Sequence, residues 1–166
     1  MSHVLWRGDL VQRCRTLSGV FLFGYVFLHF LNIAAGLISP DAMYQVQEFR
    51  RLLTGHLPGQ ILLFGALLVH LALALWQIAS RRTLRMSPAQ ALQLALGILI
   101  PFQLIQHLVF TSYAPGAYRL DDDMTSIILL MWNSPEAWQQ YLLLLVVWVH
   151  GCIGLHMWLR LTQWWR

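Results

Sequence analysis

The sequence predicts an all-α integral membrane protein: a four-helix bundle with both termini on the cytoplasmic side. Three observations carry this expectation. Hydrophobic residues make up 58% of the chain and charged ones only 11%, against about 25% charged in a soluble domain. Four apolar runs each approach the ~20 residues that a helix needs to cross the hydrocarbon core. The basic and acidic residues all fall outside those runs. The 166 residues suffice for one such bundle, as a single domain over the whole chain, and not for a second sizeable domain. A formal charge of +4 gives no reason to expect nucleic acid as a partner.

The first span is expected from about Leu17 to Ile38, where Ser39 and Pro40 end it. In the outer loop that follows, "DAMYQVQEFRRLL", the helical spacing of Met43, Val46, Phe49 and Leu53 predicts a short amphipathic helix along the interface. The second span runs from about Gly59 to Ala79. The third begins at "SPAQ", with Ser87 as N-cap and Pro88 at the first helical position. It continues to about Tyr113, and Pro101 in its middle predicts a kink. "MTSIILLMW", from Met124, is too short to span and is expected on or dipping into the outer surface. The fourth span covers about Ala137 to Leu159. Cys14 and Cys152 fall in different segments, so no disulfide framework is expected. The opening "MSHVLWRGDLVQRCR" is polar and basic, which predicts no cleavable signal peptide. No internal repeat is evident.

Charge orients the spans. One side collects Arg7, Arg13, Arg15, Arg81, Arg82, Arg85, Arg160 and Arg166 against a single acid, Asp9. The other holds Arg50, Arg51 and Arg119 against Asp41, Glu48, Asp121, Asp122, Asp123 and Glu136. By the positive-inside rule the first side, with both termini, is cytoplasmic.

Histidine carries the chemistry. Each span holds one near its middle: His29, His70, His107 and His150; His156 sits nearer the cytoplasmic end of the fourth. A lone intramembrane histidine is often just hydrogen-bonded to a neighbouring helix. Four in four spans, with no lysine, aspartate or glutamate in any of them, point instead to a ligand that takes neutral imidazoles in pairs. Haem iron does so, given two imidazoles at equal depth and small residues to admit the flat macrocycle. Helical faces carry Tyr25, His29, Asn32 and Gly36 in the first span, and Ala66, His70, Ala74 and Gln77 in the second. They carry Gln103, His107 and Thr111 in the third, and Val146, His150, Gly154 and Trp158 in the fourth.

Depth suggests the pairs. At the helical rise, His107 lies roughly 10 Å and His29 roughly 13 Å below the outer ends of their spans, fit to share an outer haem. His70 and His150 each lie roughly 17 Å down, fit to share an inner one. His156 is about 9 Å deeper than His150 and turned by about 120°, and stands as the alternative inner ligand. No C-x-x-C-H occurs, so the two haems are expected to be b-type, without covalent attachment. Arg15, Arg81, Arg82 and Arg160 inside, or Arg50, Arg51 and Arg119 outside, are candidate partners of the propionates. A quinone site is less defined: Tyr113, Tyr118, Arg119 and Asp121–Asp123 could shape an outer one, and Trp6, Arg81 and Arg82 an inner one. Each of these residues also reads as an ordinary loop or topology residue.

The segments "RTLSGVFLFGYVFLHFLNIAAGLIS" and "LLLLVVWVHGCIGLHMWLR" carry a resemblance. So does the pattern of Trp148, His150, Gly151, Gly154, His156, Trp158 and Arg160. From Arg15 to Arg166 the chain resembles the membrane anchor of a group of bacterial class III adenylate cyclases. That anchor is similar in turn to the di-haem cytochrome b subunit of succinate dehydrogenase and fumarate reductase. The resemblance implies a haem-binding, quinone-responsive anchor in the bacterial inner membrane that passes redox information to a cytoplasmic cyclase. It also implies that spans one and three hold one haem and spans two and four the other, and it leans toward a homodimer. Those cyclases carry a catalytic domain after further membrane helices, whereas this sequence stops at "QWWR". It is therefore expected to form no cyclic AMP itself, and to be either a piece of such a protein or a stand-alone electron-transfer subunit. The competing expectations are a transition-metal carrier or sensor that uses the same histidines, and a bare anchor whose histidines only pack helices.

Overall fold

The computed structural model describes residues 8–83, 85–113, 126, 128, 129, 132, 134, 137–160, 162 and 165. Among them the regular structure is helical and no strand occurs. The helices are α1 (Leu10–Ala35), α2 (Pro40–Thr54), α3 (Leu57–Ala79), α4 (Pro88–Leu108) and α5 (Ala137–Leu159); a π-turn, Val109–Tyr113, prolongs α4. α1, α3, α4 with the start of its π-turn, and α5 are long and apolar enough to cross a membrane. These are the marks of a multi-pass membrane protein. Their exposed faces are lined with leucine, isoleucine, valine and phenylalanine, which suits contact with lipid chains rather than water.

Local chemistry sets the ends. α1 begins at Leu10, earlier than the apolar run suggests, because the Asp9 carboxylate caps it by accepting from the Gln12 N–H at 2.8 Å. It stops at Ala35, with Gly36 as its C-cap, three residues short of the expected end. Ser39 caps α2, its hydroxyl accepting from the Ala42 N–H at 3.0 Å. His56 caps α3 through Nδ1, which accepts from the Gly59 N–H at 3.0 Å. Ser87 and Gln90 form a reciprocal capping box at the start of α4, as "SPAQ" predicts. α4 keeps its helical conformation through Pro101, and the irregularity in its hydrogen-bond pattern comes further on, in the π-turn. The short segment expected from Met124 lies mostly outside the described residues.

The chain divides into two sets of elements, each packed within itself: Met1–Arg85 with Gly154–Arg166, and Met86–Ile153. In the first, α1 packs along α3 and α2, and α2 touches α3. α2 is amphipathic, as expected. Met43 and Gln47 are buried and Arg50 is half-buried, while Phe49 and Leu53 point outward. Gly36 belongs to this contact. A Cβ there would lie 3.1 Å from Met43 Sδ, so the glycine lets α2 approach the end of α1. The glycine thus serves a close helix contact.

Candidate functional site: four intramembrane histidines

His70 is the fourteenth residue of α3, and its ring enters a notch on α1. Gly19 makes the notch: a Cβ added to it would stand 2.8 Å from His70 Cε1. Nδ1 of His70 lies 3.1 Å from the Arg15 carbonyl oxygen and 3.3 Å from Ser18 Oγ, and the serine hydroxyl itself donates to that carbonyl at 3.0 Å. A carbonyl only accepts, so Nδ1 carries the proton and donates it.

His150 is the fourteenth residue of α5 and has the same seat on α4. A Cβ on Gly97 would stand 2.9 Å from its Cε1, and Nδ1 donates to the Gln93 carbonyl at 3.0 Å. In both helices the accepting carbonyl belongs to the residue four before the glycine. His107 is held by a side chain: its Nδ1 donates to Gln140 Oε1, from α5, at 2.9 Å. In each of these three rings a protonated Nδ1 leaves the lone pair of the neutral imidazole on Nε2. That is the state in which histidine ligates a metal while its second nitrogen is oriented by an oxygen acceptor. His29, on α1, lies parallel to the ring of Tyr25, with 6.2 Å between centroids and 3° between planes.

His156 differs. Its Nδ1 accepts from the Trp165 indole N–H at 3.0 Å, which puts the proton of the neutral ring on Nε2. It is also exposed, whereas His29, His70, His107 and His150 are half-buried.

The seats fall at matching positions along their helices. Arg15, Gly19 and His29 of α1 match Gln93, Gly97 and His107 of α4 at one constant separation along the chain. Counted from Leu10 and from Pro88, His29 and His107 are each the twentieth residue. The 21 residues of α4 and the five of its π-turn together equal the 26 of α1. α3 and α5 both have 23 residues, with the histidine at the same place. α1 with α3, and α4 with α5, are thus two hairpins with matched helix lengths and histidine positions. Sequence reading missed Gly19, Gly97, Ser18 and Gln140 because it sought ligands and not their seats. The equal spacing from each glycine to the next histidine was the signal available.

The expected faces are mostly inward. Asn32 and Val146 are buried, and Tyr25, Ala66, Ala74, Gln77, Gln103, Thr111, Gly154 and Trp158 are half-buried; Gly36 is the exception. Where the start of α1 meets the end of α3, Asp9, Gln12, Arg15, Gln77 and Ser80 line a cleft of about 190 Å³. Arg15 is half-buried, and its carbonyl is the one that holds His70. Arg81, Arg82 and Arg160 are exposed. Trp6, Tyr118, Arg119 and Asp121–Asp123 lie outside the described residues, as does the Tyr113 side chain. Cys14 and Cys152 are free thiols. Among the described residues no three of His, Cys, Asp and Glu converge as a metal-binding group. A bis-histidine haem asks only two ligands of the protein, so the donor set fits that group. No protein-family model, curated protein or solved structure matches this chain.

Proposed function

We propose that this chain is a di-haem b-type membrane cytochrome, in which His29 and His107 would hold an outer haem and His70 and His150 an inner one. The observation that carries the reading is the seat repeated at His70 and His150: a glycine notch, a carbonyl on Nδ1, and the lone pair left on Nε2. Ordinary helix packing does not require the same tautomer twice at matched positions, whereas metal ligation does. The equal registers of the two hairpins supply the pairing. On this reading His29 pairs with His107 and His70 with His150. His156 is set aside as inner ligand because its Nδ1 is already an acceptor.

When bound, each haem supplies one-electron exchange between ferric and ferrous iron. The chain's own residues hold the imidazoles at fixed tautomers, keep water from the half-buried rings, and offer the Arg15 guanidinium to a propionate. The natural electron partner is a membrane quinone. The protein would serve either as an electron-transfer subunit or as the redox-sensing anchor of a cytoplasmic catalytic domain such as a cyclase. Its expected place is the bacterial cytoplasmic membrane, with both termini inside. The histidine variants test this. His29→Ala, His107→Ala, His70→Ala and His150→Ala should each leave one haem of two, and His156→Ala should leave both. Full haem content in all four of the first set would refute the assignment.

A further inference from the structure

We propose that α1 and α2 enclose a binding site for a quinone headgroup, built from Asn32, Gln47 and Arg50. This inference rests on the quinone-linked reading above for the class of its ligand and adds the place where it binds. Asn32 has no accessible surface, and neither its Nδ2 nor its Oδ1 has a hydrogen-bond partner among the described residues. It is the most completely buried large side chain described. A buried amide left unbonded is costly and rare in a native protein. Two more unpartnered atoms face the same region from α2: Gln47 Oε1, on a buried residue, and Arg50 Nε. Two contacts bracket the region. Gly36 meets Met43 at one end, and at the other Arg50 Nη1 donates to the Tyr25 hydroxyl at 3.2 Å. Asn32 lies between Gly36 and Tyr25 on the inner face of α1, and Gln47 lies between Met43 and Arg50 on that of α2.

The unused atoms are mixed in kind. Asn32 Nδ2 and Arg50 Nε donate, while Asn32 Oδ1 and Gln47 Oε1 accept. A carboxylate, such as a haem propionate, would use the donors and leave both amide oxygens unmet. A quinone carbonyl takes the donors, and the hydroxyl of the quinol gives its proton to the amide oxygens, so one set of side chains serves both redox states. The outer face of α1 beside it is apolar, with Phe27, Leu31 and Ile33 exposed, and suits the lipid phase in which such a ligand travels. His29 is one turn from Asn32 on the same face, which puts the headgroup beside an expected haem ligand. Because Asn32 is fully enclosed, α2 has to lift for the headgroup to enter.

Equilibrium binding of decyl-ubiquinone to the full chain in lipid nanodiscs, against empty nanodiscs, tests the site, with haem content measured on the same samples. The wild type should show saturable binding, and Asn32→Leu and Gln47→Leu should each weaken it about tenfold, as the loss of one good hydrogen bond does. Leu68→Ala, on the exposed face of α3, should bind like the wild type. Asn32→Leu replaces an unbonded amide with an apolar group of similar size, so it should fold. No saturable binding to the wild type, or wild-type affinity in both variants, overturns the site. So does the loss of one haem from both variants with affinity unchanged, which assigns the amides to a propionate. Binding that depends on Asn32 in a protein without haem would uphold the site and sink the cytochrome reading instead.

Discussion

A glycine, and the carbonyl four residues before it, make the seat for an intramembrane imidazole twice in this chain. At this scale the account is steric and tautomeric, and it predicts sharply. Gly19→Ala and Gly97→Ala each put a carbon within 3 Å of a His Cε1. The ring or the helix must give way, at about 1–3 kcal/mol. Either change should therefore weaken retention of the inner haem by about tenfold or more. Gly24→Ala, on the same helix as Gly19 but with nothing within 4 Å of its Cβ, should be silent. Haem per chain, read by absorbance after purification, compares the three. At His107 the orienting acceptor is Gln140. Gln140→Leu should leave the haem in place but raise the midpoint potential of the outer one, because a histidine without its acceptor donates less charge to iron. Redox titration that finds both potentials unmoved would remove Gln140 from the site. The histidines themselves were legible in the sequence; their seats were not. A seat depends on which helix lies alongside, and no local pattern fixes that.

Among the elements, caps and faces decide more than propensity. The capping box at Ser87 and Gln90 was readable, because its chemistry is local and its spacing fixed. Ser87→Ala should cost about 1 kcal/mol, seen as a small fall in the thermal midpoint in detergent with haem content unchanged. The start of α1 was misplaced for an equally local reason. Asp9 caps a helix that carries Arg13 and Arg15 within its first turns, ahead of the apolar run. Long arginine side chains can reach the interface from inside a helix end. α2 is expected from its periodicity and forms, with Met43 turned inward and Phe49 and Leu53 outward. In a membrane the apolar side of a helix faces lipid as readily as it faces protein. The residues turned toward α1 are instead the ones able to use a polar partner, Gln47 and Arg50.

On the scale of the whole molecule, four apolar helices and an uneven distribution of arginine place the chain in a membrane with a defined expected direction. Reporter fusions at the N- and C-termini should both read as cytoplasmic; a split result would refute the positive-inside reading. The two hairpins share lengths, histidine positions and, at two of the four histidines, the seat. Their matched registers are hard to read from the sequence because the matching residues are few and far apart amid interchangeable leucines. The cytochrome reading rests on that shared plan, and it makes a simple demand on stoichiometry. The most direct measurement is a reduced-minus-oxidised visible spectrum of the purified chain, with a pyridine haemochrome assay of haem per polypeptide. The account predicts low-spin b-type bands and close to two haems per chain. Protein made in haem-replete cells that binds none, while remaining folded and helical, would contradict it.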